Sequence, residues 1–379
     1  MAVTFVNLFI WQSSQNLMHV LWFNLFVFLG IPLAAMMSGY ISEKTNTRMT
    51  YTIGLTLYVF ELVIIILLKN DLSRFLPLVG FITGLAVGAQ AFSHNVICEL
   101  ITTPLDRERF YGKKGVLQNM VYLIFPPLLA YISVRFSFLL LFAIVIVIFL
   151  AAVILTLSLS LAETPDRFEL KQIIQIPGTN PDKLALLKIK FLFGVQNGLF
   201  WSVLGIILLT QIGSLVGWGF VTSFLTLLAL IATFILSHKE TAAVAQFVNI
   251  TSAFVFAIAG ILLAVNFDLP ALLFYMLVQT LLGVALTVNF DATINNLIEE
   301  DTEISHLRKE YHVLAEIAVG AGRLLPIGVL LLFKSYLASL AILRIPFLVI
   351  ALVPLLTMQT LFQTRFVKQK LAENFTSRA

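Results

Sequence analysis

Charged side chains are scarce in this chain. Asp, Glu, Lys and Arg together make up 12% of it, against roughly a quarter of an ordinary soluble domain. That excludes a water-soluble globular protein, because a soluble core could not hide the 59% of the chain that is hydrophobic. Cysteine is scarcer still. Cys98 stands alone, so no internal disulfide can form. No Cys/His cluster has metal-ligand spacing, and neither a metal nor a cofactor is expected. No phosphate-cradling Gly-rich loop, His-Glu zinc pattern or nucleophile motif occurs, which argues against a membrane enzyme and against ATP-driven pumping by this chain. The N-terminal MAVTFVNLFIWQSSQ lacks the basic lead-in of a signal peptide. No nucleic-acid partner is expected.

What fills the chain instead is a series of long apolar blocks. They approach or exceed the ~20 residues that cross a bilayer as a helix. They are continuous runs, not the ~10-residue alternations of a barrel, so helices are expected. The spans read 21–40, 51–68, 76–97, 115–134, 138–160, 191–210, 215–236, 243–265, 270–290, 313–333 and 340–362. These are eleven full transmembrane helices in an all-α polytopic membrane protein. Of the 24 Lys and Arg residues, 18 fall in alternate loops and the tail, against Lys69, Arg74, Arg135 and Lys334 on the other side. By the positive-inside rule the first group is cytoplasmic, and so is the C-terminus.

The segment 161–190, LAETPDRFELKQIIQIPGTNPDKLALLKIK, is the longest hydrophilic stretch in the middle of the chain. It is broken by prolines, and FELKQIIQI is suited to lie as a short amphipathic helix on the membrane surface. It separates an N-terminal bundle, 1–160, from a C-terminal bundle, 191–362, with a tail at 363–379. TLLGVALTVNFDATINNL (280–297) set under TGLAVGAQAFSHNVICEL (83–100) aligns a Gly, an Ala and the start of the following loop. Both loops lead into a proline-bearing span, through Pro126-Pro127 and through Pro326. Repeated bundles joined by a cytoplasmic linker form a transporter architecture. The repeat calls for a helix before Leu21, where only residues 1–11 are available as its outer half. Either the start codon is misassigned or the chain begins with a partial first helix.

One polar interruption is unusual, GYISEKTNTR at 39–48. Six plus six helices with a central loop resemble the major facilitator superfamily of secondary transporters. The loop between that family's second and third helices carries Gly-x-x-x-Asp-Arg/Lys-x-Gly-Arg/Lys-Arg/Lys. Here Gly39, Glu43, Lys44, Asn46 and Arg48 occupy matching places, while Thr47 departs from the pattern. The resemblance implies a loop that locks the inner gate. Gly39 would let two helices approach, Asn46 would take a left-handed turn, Lys44 and Arg48 would anchor the loop in the cytosol, and Glu43 would meet a helix N-terminus or Arg107. An ordinary charged turn is the plainer alternative. EYHVLAEIAVGAGR, with Glu310, Glu316, Gly322 and Arg323, is similar to the segment entering the eleventh helix in Gram-positive members. NLFIW at 7–11 and NVICELITTPLDRERFYG at 95–112 are similar to such members too.

Ionisable groups inside spans are expensive, by about 2.5–3.5 kcal/mol on insertion scales. Arg323 lies some ten residues into its span, roughly 15 Å deep, with Glu316 two turns away on the same face. The pair either handles substrate or protons, or holds helices together. The resemblance points to the fourth, seventh and tenth helices as cavity-lining, and so to Gln90, His94 and Asn95, to Gln196, Asn197 and Trp201, and to Gln279, Asn289 and Asp291. Such a cluster is either a proton relay through His94 or a wet inner vestibule. Glu61 lies in the third helix, which is peripheral in that family. Gly80, Gly84 and Gly88 form a small-residue ridge suited to close helix packing, and Pro126-Pro127 should kink the fifth helix. The expected activity is secondary transport of a small-molecule substrate by alternating access, proton-coupled, by a monomer in the bacterial plasma membrane bilayer. A transport-inactive scaffold or sensor of the same fold is the alternative.

Overall fold

The computed structural model describes residues 2–102, 104–159, 168–173, 181–237, 242–282, 307–333 and 343–364. Helices account for nearly all of them. In chain order they are α1 (Ala2–Ser14), α2 (Leu17–Lys44), α3 (Thr47–Leu68), α4 (Leu76–Ile101), α5 (Pro104–Arg135) and α6 (Phe138–Ser158). After the linker come α7 (Pro181–Leu199), a π turn at Phe200–Leu204, α8 (Gly205–Ile212), α9 (Leu215–Ser237) and α10 (Ala242–Asn266). They are followed by α11 (Leu269–Leu282), α12 (Arg308–Leu332) and α13 (Arg344–Gln363). Among the described residues, eight helical stretches are long and apolar enough to cross a bilayer, one of them running from α7 through the π turn into α8. The described parts of the apolar blocks are helical because a chain without water must satisfy its backbone N–H and C=O groups internally.

The helix ends follow local chemistry. Asn16 caps α2 by accepting from the Met18 N–H at 2.9 Å, and Ser137 caps α6 by accepting from Leu140 N–H at 3.1 Å. α5 runs unbroken through Pro126 and Pro127. There the close neighbour is Gly219 of α9, where an added Cβ would stand 2.8 Å from Pro127 Cα.

Close helix crossings are built from glycine. Gly80, Gly84 and Gly88 of α4 face the backbone carbonyls of Phe23, Val27 and Ile31 in α2, so the ridge is a packing surface. On the same crossing, a Cβ on Gly30 would lie 2.7 Å from Phe81 O. The C-terminal half uses the same device between α7 and α12. Gly194 and Gly198 abut the carbonyls of Val319 and Arg323, and Gly322 abuts that of Phe191. Between the halves, α12 meets α2 at Gly320, where an added Cβ would stand 3.3 Å from the Pro32 ring. An apolar core runs through both halves and includes α1, α2, α7 and α9.

Candidate functional site

Arg323 sits where these crossings converge. Gly198 and Gly322 bring α7 against α12, and Gly320 brings α12 against α2. The guanidinium therefore lies 4.9 Å from the Trp201 ring of the C-terminal half and 5.7 Å from the Phe28 ring of the N-terminal half. Both distances suit a cation over an aromatic face. Arg323 is only 8% exposed and its Nε lacks a hydrogen-bond partner. Among the described residues no carboxylate pairs with it. Glu316, half-buried two turns away, is near enough to be felt electrostatically but forms no ion pair.

Trp201 belongs to the π turn, a geometry that interrupts the regular backbone ladder and recurs at functional positions. Its carbonyl accepts from Asn7 Nδ2 of α1 at 3.1 Å. Asn24 of α2 in turn donates to Asn7 Oδ1 at 2.8 Å and to Val20 O at 2.8 Å. Both amides are buried, and buried amides persist only when partnered. Asn7, Asn24 and Phe28 escaped the sequence reading. Asn7 and Asn24, 17 residues apart in apolar surroundings, were the available signal.

The loop at 39–48 is built differently from the expectation. Gly39 does not admit a second helix. The ring of Phe168 from the linker lies over it, 2.5 Å from where a Cβ would be. Asn46 is extended, with φ −168°, and is the N-cap of α3, accepting from Met49 N–H at 2.6 Å. No left-handed turn is needed there. Arg48 donates to the Leu157 and Leu159 carbonyls at the end of α6, where a cation offsets the helix dipole. Lys44 lies 4.2 Å from the Tyr40 ring centroid, and Glu43 is exposed. The side chain of Arg107 lies outside the described residues.

The polar residues expected in the cavity fall into separate contacts. His94 Nε2 is 3.5 Å from Cys98 Sγ, Gln90 donates to Tyr51 Oη at 3.4 Å, and Asn95 is half-buried. Gln196 of α7 donates to Gln279 of α11 at 3.3 Å, and Asn197 donates to Phe193 O in its own helix. Asn289 and Asp291 lie outside the described residues. Glu61 is 1% exposed with neither carboxyl oxygen hydrogen-bonded, although it lies beside Thr83. The Thr83 hydroxyl is committed to Val79 O.

A second polar group joins the halves at the linker end of the helices. His312 of α12 stands 3.0 Å from Glu99 of α4, Nε2 to Oε1, a close polar contact out of line for a good hydrogen bond. Nearby, Glu310 Oε1 accepts from the Glu169 N–H at 2.7 Å, tying the linker to α12. Phe168 and Ile173 fill an apolar pocket made by Ala35, Phe92 and Val96 of one half and Val313 of the other. Residues 168–173 of the linker thus seat between the halves, and the end of FELKQIIQI, 174–176, lies outside the described residues. Glu99 lies within NVICELITTPLDRERFYG and His312 within EYHVLAEIAVGAGR, yet nothing in their spacing pairs residues so far apart.

A model of the Major Facilitator Superfamily matches residues 3–304. The chain belongs to that superfamily. The chain is similar to the uncharacterized protein YqgE of Bacillus subtilis (strain 168), 24% identical over 351 residues, covering 88% of this chain and 79% of the relative. The solved structure of the human organic anion transporter MFSD10 (TETRAN) is similar with a TM-score of 0.62 at 14% identity, covering 90% of this chain and 83% of that one. The E. coli fucose:proton symporter FucP gives a TM-score of 0.59 at 14% identity, with 96% and 98% covered. Those likenesses show the fold, and this member is a multi-pass membrane protein.

Proposed function

We propose that this superfamily member is a secondary active transporter that carries a small solute across the cytoplasmic membrane by alternating access, driven by the proton gradient. The observation that carries the reading is the Glu99–His312 contact, which joins α4 to α12 across the two halves. Alternating access needs the halves to part at one end and then the other. Polar contacts suit that role, because water can replace them when they open, whereas an opened apolar interface has no such compensation. A carboxylate and an imidazole are the side-chain types from which transporters build proton relays, so in this reading proton transfer and opening act on the same contact. The charge pattern of the loops supports a cytoplasmic linker end and a cytoplasmic C-terminus. In this reading the linker spans 161–190, the 39–48 loop braces the gate through Arg48 and the Phe168 seat on Gly39, and the monomer works without cofactor or catalysis.

The test is uptake into proteoliposomes under an imposed proton gradient, with a panel of sugars, amino acids, organic anions and cationic drugs. Concentration of at least one solute above equilibrium, lost when the gradient is collapsed, is the expected result. If no solute on the panel accumulates with folded protein, the chain is a scaffold or sensor built on a carrier fold.

A further inference from the structure

We infer that Arg323 is the docking point for the negative charge of the solute, and that the solute is a small organic monocarboxylate with a flat apolar body. This deepens the transport reading and rests on it. A guanidinium 8% exposed, with no carboxylate paired to it among the described residues, is an uncompensated charge in a low-dielectric setting. Two aromatic faces attract it, but they supply no hydrogen-bond acceptor in the plane of the fork. That plane is matched by a carboxylate, which takes two parallel N–H bonds from a guanidinium.

The surroundings narrow the ligand further. Trp201 is 40% exposed, so one wall of the site remains reachable, and with Phe28 it offers flat apolar surface to the rest of the molecule. A phosphate monoester is a poorer match. It is a doubly charged, heavily hydrated group that calls for several donors, whereas this site presents one guanidinium. Glu316 on the same α12 face opposes a second negative charge. Neutral sugars leave the cation unpaired. Trp201 comes from the C-terminal half and Phe28 from the N-terminal half, so an anion held here is read by both halves at once. That is the position from which occupancy can bias their movement.

The experiment uses the full chain purified in detergent, with benzoate, benzamide and phenyl phosphate as probes at matched ionic strength. Benzoate should raise the Tm saturably, benzamide should not, and phenyl phosphate should do so more weakly. Arg323→Lys should bind benzoate about ten- to a hundred-fold more weakly, the loss expected when one charge-assisted hydrogen bond is removed. Arg323→Met should abolish the shift, and without ligand its Tm should equal or exceed that of the native chain. No benzoate shift, an equal shift with benzamide, a shift that survives Arg323→Met, or a ligand-free Arg323→Met Tm several degrees lower would each overturn the proposal. The last outcome would mean that the guanidinium is already paired within the protein. Labelled benzoate uptake separates the two claims. Binding without gradient-driven uptake removes the transport reading and leaves the anion site. Gradient-driven uptake of neutral solutes that is intact in Arg323→Met removes the site and leaves transport.

Discussion

Replacing His312 by Gln tests whether the Glu99 contact holds the linker end of the halves shut. Both side chains are largely buried and stand 3.0 Å apart. Removing one member of a close polar contact with a carboxylate in such a place loses roughly 1.5–3 kcal/mol. At 1.4 kcal/mol per decade, that raises the population of the open state by about ten- to a hundred-fold. The chain carries its own reporter. Cys98, the only cysteine, is 2% exposed and adjoins Glu99 on α4. A maleimide can reach it only when the helices part. His312→Gln should therefore raise the Cys98 alkylation rate by about the same factor, with Tm followed in parallel to exclude global unfolding. His312 is the better residue to change, because removing the Glu99 charge next to Cys98 would alter thiol reactivity directly. An unchanged alkylation rate in a folded His312→Gln protein would refute the argument that this contact controls opening.

Other perturbations follow from the packing. Gly30→Val places a branched side chain 2.7 Å from the Phe81 carbonyl, and should lower stability by about 1–3 kcal/mol; an unchanged Tm in detergent would count against the close α2–α4 crossing. Asn46→Ala removes the N-cap of α3 and should lose about 1 kcal/mol, whereas Asn46→Asp should retain most of it, both read by thermal melting. Glu61→Met replaces a buried carboxyl that lacks hydrogen-bond partners and should leave Tm unchanged or higher; a clear fall would show that the carboxyl is held by a partner. Phe168→Ala empties the pocket over Gly39 and should release the linker, seen as faster proteolysis within 161–180 with the helices intact.

The helices were legible because their signal is local and redundant. In α6, FLLLFAIVIVIFLAAVILTLS can only be a span, and no distant contact changes that. The role of Arg323 as a buried charge was legible too, since an arginine ten residues into an apolar run has nowhere to go. Its companions were not. Phe28 is one of 33 phenylalanines, and only the approach of α12 to α2 at Gly320 singles it out. Asn46 illustrates a different failure. Asn serves both left-handed turns and N-caps, and the choice depended on α3 beginning at Thr47. Gly39 was recognised as a place of close approach, but the approaching group came from the linker 129 positions downstream, beyond the reach of spacing arguments. His312 and Glu99 likewise became a pair only through the packing of α4 against α12.

The seat of the linker also bears on how the chain is made. Phe168 and Glu169 leave the ribosome 141 residues before Glu310 for the Glu169 contact. At about 5–20 residues per second, the N-terminal bundle therefore waits on the order of ten seconds with one wall of its pocket, Val313 of α12, still unsynthesised. Through that interval Phe168 has Ala35, Phe92 and Val96 to rest on but nothing to close over it. The arrival of α12 then supplies the Val313 wall, the Glu310 acceptor and the His312 contact within four consecutive residues. Locking of the linker and joining of the halves thus become a single late event of biogenesis, and a nascent chain stalled before α12 would present an open apolar notch to the membrane quality-control machinery.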